Sequence, residues 1–87
     1  MKKHTKILMN FFGYGEQDFI PCTRCGTTAN DTHHISSRGS GGDKCKDYIE
    51  NLTPLCRTCH NLAEKNKNIN KDIRVRHLQN IINKLNE

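Results

Sequence analysis

The sequence predicts a small α+β domain: two short antiparallel strands and a helix pinned together at their base, with one further helix on each side. Three observations lead there. Cys22-x-x-Cys25 and Cys56-x-x-Cys59 are two knuckles at the spacing of a tetrahedral metal site, and they bracket a His33-His34 pair. Two β-prone stretches, 32–35 and 48–52, lie between the knuckles on either side of a glycine-rich segment. Both ends of the chain carry apolar residues at helical spacing.

Residues 4–12 form the first helix, with Ile7, Leu8, Phe11 and Phe12 on its apolar side, and Gly13-Tyr14-Gly15 stops it. Asp18-Phe19-Ile20-Pro21 leads into the first knuckle. Thr32-His33-His34-Ile35 has a β-branched residue at each end and reads as a strand. The stretch 36–43, with Gly39, Gly41 and Gly42, is a loop. Tyr48-Ile49-Glu50-Asn51-Leu52 reads as the second strand, and Thr53-Pro54 then starts a helix that runs to about Glu64, Pro54 suiting its first turn. Asn66-Lys67-Asn68 is a linker, and Asn70 or Asp72 caps a last helix over 70–86, with Leu78, Ile81, Ile82 and Leu85 as its apolar stripe. The whole of 1–87 is a single domain around a core at 19–64.

Such a chain needs a staple. Leu, Ile, Val and Phe number 18 of 87 residues, about 21%, near the level at which chains stay disordered. A structural zinc on Cys22, Cys25, Cys56 and Cys59 supplies what the core lacks, since roughly 10–16 kcal/mol of apparent binding energy is available from such a site. A secreted disulfide scaffold is the competing reading. The odd cysteine count, with Cys45 left over as a free thiol, the knuckle spacing and an apolar stretch of only Ile7 to Met9 behind the basic N-terminus argue against it. A reducing cytoplasm and no membrane association are expected.

The formal net charge of +5 and a pI near 9.1 suit a polyanion, most simply nucleic acid. Four thiolates close around zinc and leave no open position, so the histidines are free for other chemistry. Adjacent strand residues face opposite ways, so His33 and His34 reach one phosphate together only where the strand ends or twists. His60 lies just inside a helix whose start the zinc fixes, and the zinc also holds the strand that carries the histidines.

His33-His34-Ile35, then Gly41-Gly42, then Asn51-Leu52-Thr53-Pro54-Leu55-Cys56-Arg57-Thr58-Cys59-His60 resembles the HNH endonucleases, in particular small phage-type members. The resemblance covers about residues 19–64 and implies a ββα-metal (His-Me finger) fold that hydrolyses DNA phosphodiester bonds. It assigns His34 as general base and Asn51 as the side chain that ties down the base-bearing loop. It assigns His33 and His60 as ligands of a single catalytic divalent ion. Many members have aspartate where this chain has His33; the double histidine is similar to the nuclease colicins. Those carry a further histidine where this chain has Glu64. One helical turn from His60, Glu64 could be a third ligand or equally a solvated carboxylate.

The chemistry is consistent with those roles. Phosphodiester hydrolysis needs a base for water and a cation on the phosphate oxygens, and imidazole titrates near neutral pH. Two imidazoles suit Ni²⁺, Co²⁺, Zn²⁺ or Mn²⁺, while phosphate and water could complete a Mg²⁺ site. Arg38 and Arg57 are candidate phosphate clamps. The expected partner is double-stranded DNA, cut or nicked in the host-cell cytoplasm if the gene is phage-borne, with a homodimer or protein partner left open. Two other readings need less: a non-catalytic zinc-stapled nucleic-acid-binding module, and a zinc-stapled adaptor that uses the stripe of the last helix.

Overall fold

The computed structural model describes residues 2–37 and 46–87. In chain order its elements are α1 (Lys3–Phe12), β1 (Asp31–His34), β2 (Leu52–Leu55), α2 (Arg57–Lys65) and α3 (Lys67–Leu85), with a 3₁₀ turn over Ile49–Asn51. Arg38, the glycines at 39, 41 and 42, and Cys45 lie outside the described residues. No helix among the described residues is long and apolar enough to cross a membrane.

α1 ends where expected. Gly13 adopts the left-handed conformation (φ 73°) that only glycine reaches without strain, and its N–H closes the helix on the Met9 carbonyl. The buried side is Leu8 and Met9, with Ile7, Phe11 and Phe12 half-buried. The helix packs on both strands and on the 3₁₀ turn, so its buried face is broader than one aliphatic ridge. Thr5 and Thr32 hydroxyls, 3.2 Å apart, join α1 to β1.

β1 and β2 are antiparallel, with Asp31 opposite Leu55, Thr32 opposite Pro54, His33 opposite Thr53 and His34 opposite Leu52. The second strand is therefore 52–55 and not 48–52, and Thr53-Pro54 belongs to it and does not begin a helix. Two causes account for the shift. Asn51 is held in the turn: its carbonyl accepts from the Ile35 N–H at 2.9 Å, and its buried side chain is spent on the neighbouring loop. Pro54 is tolerated because each strand of a two-stranded sheet keeps one open edge where no N–H is required; its carbonyl accepts from the Thr23 N–H at 2.9 Å. α2 starts only at Arg57, because Cys56 is its N-cap and the Cys56 Sγ accepts from the Cys59 N–H at 3.4 Å.

No linker separates α2 from α3. Asn66 ends the first and caps the second, its Oδ1 accepting from the N–H groups of Asn68 and Ile69 at 2.9 and 3.2 Å. Asn70 and Asp72 lie inside α3 and do not cap it. The expected stripe is also corrected. Ile81 is buried, but Leu78, Ile82 and Leu85 are exposed, and the inward face is Ile73, His77 and Ile81 at i, i+4 and i+8. A histidine on the core face hid that period from a reading based on aliphatic residues. His77 is fully buried, and its Nε2–H donates to the Ile49 carbonyl at 2.7 Å. The core cluster of Cys22, Leu55, Cys59, Ala63 and Ile73 is built around two of the cysteines, with Cys56 and Ile69 packed on it.

Candidate active site and metal centres

The four knuckle cysteines converge. One Sγ from each of Cys22, Cys25, Cys56 and Cys59 lies within 4.8 Å of the others. The Cys25–Cys56 Sγ separation is 3.6 Å. A zinc tetrahedron with bonds of about 2.3 Å places its sulfurs roughly 3.8 Å apart, so this donor set fits zinc with little movement. In the first knuckle Gly26 takes φ 80°, and its N–H donates to the Cys22 carbonyl at 2.9 Å. Hydrogen bonds from the Thr27 hydroxyl and backbone bring the Cys25 thiol down to about 6, which favours the thiolate that a metal needs. The Cys56 thiol is also lowered, first by the Cys59 backbone N–H. Burial pushes the Cys59 thiol up to about 12, opposed by the Arg24 guanidinium, whose Nη1 donates to its Sγ at 3.6 Å.

A second cluster is assembled from three elements. His33 points inward from β1 and is buried. Its Nε2 meets Asn70 Oδ1 of α3 at 2.8 Å, and the Asn70 Nδ2 donates to the Ile35 carbonyl at 2.8 Å. That second bond fixes the amide, so Oδ1 accepts, the proton sits on His33 Nε2 and the lone pair on Nδ1. Burial holds the His33 pKa below its usual value, with Asn70 opposing, which favours the neutral form that a metal needs. The His60 ring of α2 lies with its centroid 5.0 Å from that of His33.

His60 stands between two carboxylates. Nδ1 is 3.0 Å from Asp31 Oδ2, and Nε2 is 3.1 Å from Glu64 Oε1. Asp31 is itself fixed by a bidentate Arg57, at 2.7 and 2.9 Å, and this guanidinium is the first cause of its lowered carboxyl pKa. A carboxylate that accepts from one imidazole nitrogen while the other faces a cation is the arrangement that orients metal-bound histidines. One donor atom from each of His33, His60 and Glu64 lies within 4.8 Å of the others. Asp31 was not expected at this site, and Asn70 was expected only as a helix cap. The Asp31-x-His33 spacing, which puts both residues on one strand face, was the available signal for the first. The Arg57 side chain is committed to Asp31, while Arg38 lies outside the described residues.

His34, on the opposite face of β1, meets Asp47 instead: Nε2 to Oδ1 is 2.7 Å, and both side chains are largely buried. The two histidines nevertheless line one cavity of about 840 Å³ with His60 and Glu64. Lys67, Lys71 and Arg74, at i, i+4 and i+7 of α3, line it too, and none of the three is in an ion pair among the described residues. Asn51 stands behind the site. Its Oδ1 accepts from the Ser36 N–H at 2.6 Å, and its Nδ2 donates to the carbonyls of Ser36 and Lys46 at 3.0 and 2.9 Å. One buried amide thus clamps both ends of the segment that follows β1.

The profile of the HNH endonuclease family matches residues 22–66, more than half of the chain, and includes both knuckles and all the histidines of the cluster. The chain belongs to that family. It is also similar to the uncharacterized protein YdfU of Escherichia coli (strain K12), with 44% identity over 41 residues. The match spans 47% of this chain but only 12% of that relative. No solved structure matches.

Proposed function

We propose that this protein is a metal-dependent DNA endonuclease that hydrolyses phosphodiester bonds in double-stranded DNA, with His34 as general base. The observation that carries the reading is the convergence of His33, His60 and Glu64 in a cavity that also holds His34 and is lined by Lys67, Lys71 and Arg74, which belong to no ion pair among the described residues. A binding module needs the charge and the cysteines, but not this cluster.

The roles follow from the hydrogen bonds. Asp47 accepts from His34 Nε2–H, which leaves the Nδ1 lone pair to take a proton from water. Asn51 fixes the segment beside it. Asp31, held by Arg57, presents His60 with Nε2 toward the cavity, and Asn70 presents His33 with Nδ1 unprotonated. Bound there, a divalent ion such as Mn²⁺, Ni²⁺, Co²⁺, Zn²⁺ or Mg²⁺ would supply positive charge for the phosphate and the leaving oxygen. Glu64 is more than half exposed yet within reach of His60 Nε2, and we take it as the third ligand. Lys67, Lys71 and Arg74 replace Arg57 as the phosphate-holding side chains. A structural zinc on the four cysteines fixes β1 and α2 relative to each other, and the single domain works in a reducing cytoplasm.

Plasmid nicking by purified protein, with and without added divalent metal and with a His34→Ala control, tests this. Metal-dependent nicking that the variant loses is the expected result. DNA binding with no cleavage under any metal would return the binding module.

A further inference from the structure

We propose a second divalent-metal site, formed by His4 of α1, His34 of β1 and Asp47, whose occupancy silences the base. One donor atom from each residue lies within 4.8 Å of the others, although the three come from distant parts of the chain. His34 Nε2 and Asp47 Oδ1 are 2.7 Å apart, and the His4 ring stands edge-on to His34 with centroids 4.8 Å apart. Holding His34 in place needs only Asp47; the arrival of a second imidazole from α1 turns the pair into a two-histidine, one-carboxylate set. That set selects first-row transition ions over Mg²⁺ or Ca²⁺. Metal–nitrogen bonds of about 2.0–2.1 Å put tetrahedral donors roughly 3.3 Å apart. The His34–Asp47 pair is already inside that spacing, and the His4 side chain must close the remainder.

The consequence rests on the nuclease reading. In the metal-free pair Nε2 carries the proton and Nδ1 the lone pair. A metal at Nε2 takes the lone pair on that atom, so the single proton of the neutral ring moves to Nδ1. The atom that would accept a proton from water is then occupied. Asp47 changes at the same time from hydrogen-bond acceptor to ligand. Excess transition metal therefore inhibits the enzyme that a first equivalent activates.

The test is a cobalt titration of protein that carries its structural zinc, counted by equilibrium dialysis and followed by visible absorption. Two Co²⁺ per chain beyond the zinc are expected, one in His4→Ala, one in His60→Ala and none in the double variant. One Co²⁺ in the unsubstituted protein, or two in His4→Ala, would overturn the site. If His4→Ala does not fold by circular dichroism, His4→Gln and Asp47→Asn carry the same count. Nicking against Co²⁺ should rise and then fall by roughly 10² or more, the loss for a missing base. In His4→Ala the ratio of activity at excess to limiting Co²⁺ should stay near one. A second bound Co²⁺ that leaves nicking unchanged or raises it would overturn the silencing. Absence of nicking at every Co²⁺ level would count against the nuclease reading and leave the stoichiometry to decide the site.

Discussion

The cysteine cluster and the histidine cluster both draw donors from α2 and its cap, and they are built in opposite ways. The cysteine site takes its donors in pairs from two tight knuckles, and the hydrogen bonds around it come from the knuckles' own backbone, Thr27 and Arg24. Two of its four donors are part of the apolar core. The histidine site takes His33 from β1 and His60 and Glu64 from α2, and each imidazole is held from outside by a residue of another element: His33 by Asn70, His60 by Asp31. It opens on a cavity. A closed set of four donors leaves a metal nothing to do but hold the chain. A triad with outer partners and an open side is what chemistry on a bound phosphate requires. Cys59 and His60 are neighbours in sequence, so the first site delivers the second its helix.

The largest effect should separate the two by folding. Cys22→Ser or Cys59→Ser removes a donor from the core of a chain with little other apolar mass, and should abolish cooperative folding, as should stripping the metal with a strong chelator. His33→Ala or His60→Ala should leave the thermal transition in place. A Cys22→Ser protein that still melts cooperatively would erase the contrast.

Within the histidine site the next effect separates proton transfer from metal binding. His34→Ala should cost about 10²–10⁴ in nicking, the range for a lost general base, with the affinity of the His33/His60/Glu64 site unchanged by calorimetry. Asp31→Asn and Asn70→Ala should do the reverse. Each leaves both histidines but frees one ring, and should weaken that metal by about 10–100-fold, with partial rescue of nicking by added metal. Equal loss of metal in His34→Ala and Asp31→Asn would merge the two roles proposed for these residues.

Much of this was legible in the chain. The knuckles, the helix expected over 4–12, the strand expected over 32–35 and found one residue earlier, and the order histidine–asparagine–histidine were readable because each depends on residues close in sequence. What failed had a tertiary cause. Pro54 reads as a helix start until the sheet is seen, among the described residues, to pair β1 with β2 alone. Asn66 reads as a linker until it is seen to serve two helices. Asn70, read as a cap, spends its side chain on His33 and Ile35, residues more than thirty positions away. Arg57 reads as a phosphate clamp unless Asp31 is known to be across from it. Reading the last helix by its aliphatic residues turned its inner face outward, because the middle residue of that face is His77.

His77 gives a smaller, pH-dependent effect on the structural side of the comparison. Burial holds its pKa below the usual value, with the Ile49 carbonyl opposing. The folded state then binds its proton less readily than the unfolded chain, for which the value is near 6.5. Stability from this residue is complete above that pH and is lost as pH falls through the window down to the folded value, at no more than about 1.4 kcal/mol per pH unit. His77→Leu should flatten the fall in melting temperature between pH 7 and pH 5 relative to the unsubstituted protein. Acid release of a metal held by the four cysteines would affect both proteins alike, so the difference between them is the measurement. Parallel curves would mean that His77 is not the titrating group.

The smallest effect concerns the cations, which divide into those committed to a partner at one of the two sites and those that are not. Arg24 donates to the Cys59 Sγ, and Arg57 is locked on Asp31. Lys71 and Arg74 line the cavity and belong to no ion pair among the described residues. A cation already neutralised by the protein releases no counterion from DNA, whereas a free one that meets a phosphate does. Lys71→Ala and Arg74→Ala should each reduce the slope of log K against log salt by about 0.9 for duplex DNA, uniformly across sequences. Between 50 and 200 mM salt that amounts to roughly a 3–4-fold smaller loss of affinity per residue. Arg24→Ala should leave the slope unchanged, even where it lowers the melting temperature by exposing the cysteine site. Measured by fluorescence anisotropy on a short duplex, an unchanged slope in Lys71→Ala and Arg74→Ala would remove α3 from the DNA path, and a slope reduced by Arg24→Ala would place the duplex across the knuckles instead.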